Sequence, residues 1–104
     1  MDRAALLERI KLLTAEAFGD RLKGVVLYGS EARRASEPDS DIDVLVLLDS
    51  EPQDPQDSWA CINALYPLAL ELERPIHAEP VNEADYAAGE YPLYRSARRE
   101  GIRI

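Results

Sequence analysis

Two aspartates, Asp41 and Asp43, stand two residues apart with only Ile42 between them. In an extended chain, side chains at i and i+2 leave the same face, so both carboxylates can converge on one divalent cation while Ile42 points away. Like charges held that close repel and raise a pKa unless a cation compensates them, and Mg²⁺ is the usual hard partner for carboxylates together with phosphate oxygens. Ahead of Asp41, separated from it by ten residues, comes Gly29-Ser30. A glycine lets the backbone approach a phosphate closely, and a serine beside it can cap a following helix or hydrogen-bond the phosphate. Each signal is weak alone. In the order strand, Gly-Ser, polar stretch, turn, strand with Asp-x-Asp, they place a phosphate cradle opposite a metal site on adjacent strands.

The elements that must position these residues are readable around them. Gly24 to Gly29 is a short apolar, β-branched run bounded by glycines, which predicts a buried strand ending at the motif. Glu31 to Ser40 is polar and contains the turn-forming Pro38-Asp39-Ser40. Residues 42–48 are apolar at both parities after Asp43, which predicts a central strand covered on both faces. Upstream, Leu6, Ile10, Leu13 and Ala17 predict an amphipathic helix over residues 2–18, ended by Gly19-Asp20. Asp49 to Gln56, rich in acids and proline, predicts a solvated loop without function.

Helical spacing resumes over residues 57–74 with Trp59, Ile62, Leu65, Tyr66, Ala69 and Leu72 as its core side, and Pro67 is expected to kink or break it. Pro75 to Val81 predicts a short third strand, demoted to an edge by its two prolines. His77 and Glu79 share a parity on that strand, so both can face Asp41 and Asp43. A last helix starts near Pro92 and stops at Gly101, before Ile102-Arg103-Ile104. Together these give an α/β (α+β) fold, a small mixed sheet flanked by helices, as one domain over residues 1–104.

Composition narrows the function classes. A net charge of −8 repels nucleic-acid phosphates, so direct nucleic-acid binding is not expected, and a basic partner suits the surface better. No apolar run approaches a membrane span, and the charged N-terminus is unlike a signal peptide, so a cytoplasmic location is expected. Cys61, the single cysteine, excludes an intrachain disulfide and reads as a small core residue.

The segment from Leu27 to Val46 resembles the signature of the nucleotidyltransferase superfamily that includes DNA polymerase beta and kanamycin nucleotidyltransferase, and is similar in detail to its small stand-alone branch, the minimal nucleotidyltransferase (MNT) domains. One departure is Arg34, where that branch commonly has glycine. The resemblance implies that Asp41 and Asp43 hold Mg²⁺, two ions in all, and that a third carboxylate on a later strand completes the metal site and the catalytic set. Glu79 is the natural carboxylate there, while His77 sits near where the family often has its acid. Gly29 and Ser30 would bind the nucleotide, and Arg33 would pair with its triphosphate or lie solvated on the next helix.

The implied reaction is transfer of AMP from ATP to a hydroxyl, with pyrophosphate leaving. Larger relatives bind the acceptor with a second domain for which these 104 residues leave no room, so the acceptor is expected to come from a partner. MNT proteins are commonly paired with helical HEPN proteins, RNA-cleaving toxins that they neutralise by binding and by adenylylating a tyrosine. An antitoxin of that kind, joined to its toxin in a hetero-oligomer, is the implied role. The alternative is a non-catalytic antitoxin or sensor that binds nucleotide without turnover, and a scaffold with no nucleotide role is the third.

Overall fold

A computed structural model of the chain describes residues 1–33 and 40–104. Helix α1 spans Arg3–Phe18, and Asp2 caps it by accepting a hydrogen bond from the Ala5 N–H at 2.8 Å. Its buried side is Leu6, Leu7, Ile10, Thr14 and Phe18, and the expected Ala17 is exposed because the larger Phe18 takes the inward position. Thr14 is tolerated there because its hydroxyl donates to the Ile10 carbonyl at 2.8 Å. Gly19 ends the helix, as expected, and a 3₁₀ turn over Gly19–Arg21 leads into the sheet.

Strands β1 (Leu22–Tyr28), β2 (Ile42–Leu48), β3 (Ile76–Asn82) and β4 (Ile102–Arg103) form one mixed sheet in the order β3-β2-β1-β4. β1 runs antiparallel to β2 and β4, and β2 runs parallel to β3. Helix α2 (Gln56–Leu72) makes the crossover from β2 to β3, and α3 (Glu83–Ala88) and α4 (Pro92–Glu100) follow. One sheet face, with Val25, Leu27, Ile42, Val44, Val46 and Leu48, packs on α1 and α2. The other, with Val26, Leu45 and Leu47, packs under Tyr86 of α3 and Ala97 of α4. Burial on both sides is why β2 is apolar at both parities. The fold is the expected α+β arrangement of a small mixed sheet flanked by helices.

Three expectations change. α2 runs unbroken through Pro67: that residue and Asn63, four earlier, are both exposed, so the carbonyl that loses its donor is open to water. Trp59, Ile62 and Tyr66, expected on the core side, are 51–59% exposed, because the sheet takes the stripe Cys61, Leu65 and Leu68 instead. Ile102-Arg103, left without an element, forms the edge strand β4. Arg34 and the Pro38-Asp39 part of the turn lie outside the described residues.

Edge position suits β3. The Ile42 N–H donates to the Pro75 carbonyl at 2.9 Å, and Ile42 is in register with Ile76. Odd-numbered residues of β3 therefore bond to β2, and the even-numbered ones, Pro80 among them, turn their backbone outward.

One buried carboxylate holds α2 to the 3₁₀ turn that follows α1. Asp57 accepts from Arg21 Nη1 at 3.0 Å and Nη2 at 2.7 Å, and from the Gln53 N–H at 2.8 Å. These bonds, the Arg21 pair first, hold its pKa below the ordinary value of 3.8 against the opposing effect of burial. A depressed folded-state pKa contributes stability above the unfolded value and loses it as pH falls through the folded one. Asp57→Asn should therefore cost about 2 kcal/mol at pH 7, the size of a charge-assisted hydrogen bond partly screened on the Arg21 side. Urea unfolding of both proteins should show that gap closing below about pH 4. A gap that widened in acid would refute the role.

Candidate active site

The sheet register places the motif residues. Asp43 lies between Tyr28 on β1 and His77 on β3, each its direct cross-strand neighbour. His77 Nδ1 is 3.9 Å from Asp43 Oδ1, with the imidazole largely exposed. Glu79 pairs with Leu45, one step further along the same face, and is exposed. Asp41 is exposed just before β2 begins.

Electrostatics single out Asp43. Burial raises its carboxyl pKa, His77 works against that, and the charge of Asp41 pushes it up again. Across the ladder, the Tyr28 phenol is pushed up to about 12, first by burial and then by Asp43 and Glu79. A half-buried acid beside a second acid is a place where added positive charge is stabilising.

Gly29 is required twice over. It has φ +74°, and a Cβ there would stand 2.7 Å from Asp43 Oδ2. Gly19 provides the comparison, since its φ is +58° but a Cβ would meet nothing within 4 Å. Alanine at either position should cost about 1–2 kcal/mol in thermal or urea unfolding through backbone strain. Only Gly29→Ala should also weaken metal–nucleotide binding, because it alone displaces the Asp43 carboxylate; equal binding by both variants would argue against the site.

After Gly29 the chain forms a hydrogen-bonded turn that ends at Arg33, the Arg33 N–H donating to the Gly29 carbonyl at 3.2 Å, and most of the span where a helix is expected lies outside the described residues. Its guanidinium pairs with Glu100 at the end of α4, at 3.3 Å. Arg3 of α1 donates to the Ala32 carbonyl at 2.8 Å.

The residue that sequence reading missed is Arg74, in the α2–β3 turn. Its Nε donates to the Ser40 carbonyl at 3.0 Å and its Nη1 to Glu31 Oε1 at 2.5 Å, with Nη2 at 3.4 Å from Ser40 Oγ. Glu31 follows Gly29-Ser30 directly and Ser40 precedes Asp41, so one guanidinium grips the chain at both ends of the span joining the two half-motifs. Both partners of the ion pair are mostly buried. No local pattern announces this role, because all three segments meet only in the folded sheet.

As a metal site, the described residues supply two carboxylates, Asp41 and Asp43. Among the described residues no group of three His, Cys, Asp or Glu side chains is gathered for a cation. Two acids on an open face fit Mg²⁺ in the manner that ion prefers, with the remaining positions left to phosphate oxygens and water.

Comparison with known proteins agrees with this fold. Solved structures with the same fold include a toxin–antitoxin crystallised with AMP-PNP, 21% identical over 92% of this chain and 69% of that one, TM-score 0.66. A second is the toxin–antitoxin MntA-HpeT with a tyrosine changed to alanine, 17% identical over 100% and 72% of the two chains, TM-score 0.63. A third is the same pair with two aspartates, two residues apart, changed to glutamate: 14% identical over 99% and 72%, TM-score 0.65. Identities this low speak for the fold. Among curated proteins no relative matches. The sequence model of the nucleotidyltransferase domain matches residues 7–91, which take in both half-motifs, β3 and most of the core. By that match, over well more than half its length, the chain belongs to the nucleotidyltransferase domain family.

Proposed function

We propose that this domain transfers AMP from ATP to a hydroxyl, a tyrosine's in the reading we favour, on a partner toxin, and acts as that toxin's antitoxin. The observation that carries the reading is the placement of Gly29 against the Asp43 carboxylate, with Asp41 beside it on an open face. Asp41 and Asp43 would hold Mg²⁺, which when bound neutralises phosphate charge and supports the departure of pyrophosphate. Gly29 and Ser30 shape the turn that receives the phosphates, and Arg33 exchanges Glu100 for them. The acceptor oxygen attacks the α-phosphorus, the bond from that phosphorus to the pyrophosphate oxygen breaks, and the hydroxyl proton passes to a side chain of β3.

Glu79 is the third carboxylate of this reading. Its register position beside Leu45, with His77 standing against Asp43, favours a second reading: nucleotide binding without turnover, the toxin being neutralised by contact. Two features support an antitoxin role in either case. The neighbours of like fold are toxin–antitoxin pairs, one with AMP-PNP and one altered at two aspartates spaced as Asp41 and Asp43 are. The charge of −8 suits a basic, RNA-handling partner of the helical HEPN type, and a hetero-oligomer with it.

The test is incubation with α-labelled ATP, Mg²⁺ and the protein encoded beside this chain. Label on that protein, absent with Asp41→Asn or Asp43→Asn, establishes transfer. Neutralisation without label establishes the binder. ATP with metal should also raise thermal stability by about 2.7 kcal/mol at 100 times its Kd, and no shift at saturation would refute both nucleotide readings.

A further inference from the structure

The exposed side of α2 carries Trp59, Ile62, Tyr66 and Leu70, spaced three, four and four apart, and each is 51–63% exposed. Such spacing puts all four on one ridge of the helix. Grooves flank it: one of about 490 Å³ beside Tyr66, Leu70 and Glu73, and one of about 450 Å³ between α1 and α2, lined by Glu16, Asn63 and Pro67. A single ridge between two grooves is the surface into which another helix packs. Contiguous apolar exposure on this scale, with Trp and Tyr in it, marks a protein–protein contact.

The surrounding charge selects the occupant. Asp54 lies just before the N-terminal end of α2 and Glu73 caps its C-terminal end, both exposed, while Glu16 borders the α1–α2 groove. The nearest cation at the C-terminal end, Arg74, is turned inward to Glu31 and Ser40. Acids at both ends mean that any symmetric pairing of α2 with a second copy, parallel or antiparallel, brings acid against acid. A partner with lysines and arginines around an apolar stripe meets complementary charge instead, and its cations can also rest on the open Trp59 and Tyr66 rings.

We infer that this face of α2 docks a basic amphipathic helix of another protein. The identity of that protein as the toxin rests on the antitoxin reading above; the docking face does not. Trp59 is the only tryptophan, so its fluorescence reports directly on the surface.

The test co-expresses the chain with the protein encoded beside it, using Trp59→Ser and Tyr66→Ser, with Leu12→Ser, an exposed apolar residue on α1, as control. Circular dichroism checks that each variant is folded. A complex that shields Trp59, weakens at least tenfold with either α2 variant and tolerates Leu12→Ser is the expected result. A complex indifferent to the α2 variants overturns the docking face and leaves the antitoxin reading standing. Absence of any complex removes the toxin as partner, and synthetic helices then decide the surface. A Leu/Lys helix that blue-shifts Trp59 where a Leu/Glu helix does not supports it. Equal response to both, no response, or a homodimer lost with Trp59→Ser overturns it.

Discussion

Asp43→Asn should reduce AMP transfer by about 10²–10³-fold, the scale for removing one preorganised electrostatic contact from a reaction centre. It should abolish the metal-dependent stabilisation by ATP as well. Asparagine has the same shape as aspartate, so the loss would belong to the charge. The thermal midpoint of the ligand-free protein should hold or rise. Burial and the Asp41 charge raise the Asp43 pKa, so its ionised form is disfavoured by folding at neutral pH, and a neutral side chain is free of that cost. Loss of activity together with unchanged or greater stability is what a site residue gives and a structural residue does not. Transfer at the wild-type rate by Asp43→Asn would sink the assignment.

Arg74→Ala should affect both stability and binding. Its guanidinium is mostly buried and makes charge-assisted bonds to Glu31 and to the Ser40 carbonyl, so removal should cost about 2–3 kcal/mol. In a domain of this size that is a fall of roughly 10–20 °C in the melting midpoint. Metal–nucleotide affinity should drop by about 10–100-fold at temperatures where the variant is still folded, since an ångström of misplacement between Gly29-Ser30 and Asp41 is felt at the site. Arg74→Lys should fall between, because an ammonium cannot reproduce the fork of donors. Arg9→Ala, which breaks an exposed pair with Glu71, should change stability by under about 1 kcal/mol and binding not at all. Wild-type affinity in a folded Arg74→Ala protein would show that the two half-motifs hold their places without it.

What could be read from the chain was what depends on neighbours in sequence. The two-sided burial of β2, the edge position of β3 and the shared face of Asp43, His77 and Glu79 all follow from parity and proline. Helix α2 shows where that reading stops. It has two apolar stripes, and only the packed sheet decides that Cys61, Leu65 and Leu68 go inside and Trp59, Ile62, Tyr66 and Leu70 remain outside. The Asp57–Arg21 pair was hidden for a similar reason, since an acid next to a loop rich in acids gives no sign of a partner thirty-six residues away. Arg74 and β4 are likewise products of segments that meet from far apart in the chain. In the site, the type of residue was legible and its distance from Asp43 was not: His77 and Glu79 share a parity, and the register alone puts the imidazole against the acid.

Pro80 has a consequence for how a substrate reaches this site. On the outward edge of β3, donors remain at Ile76 and Ala78, and Pro80 then interrupts the row. A peptide added along the strand that presents His77 and Glu79 would lose a ladder bond at Pro80, so this edge is a poor template for strand addition. On the transfer reading proposed above, the acceptor hydroxyl would come on a side chain projecting from structure the partner already has, and a loose extended segment of the same sequence should be a poor substrate.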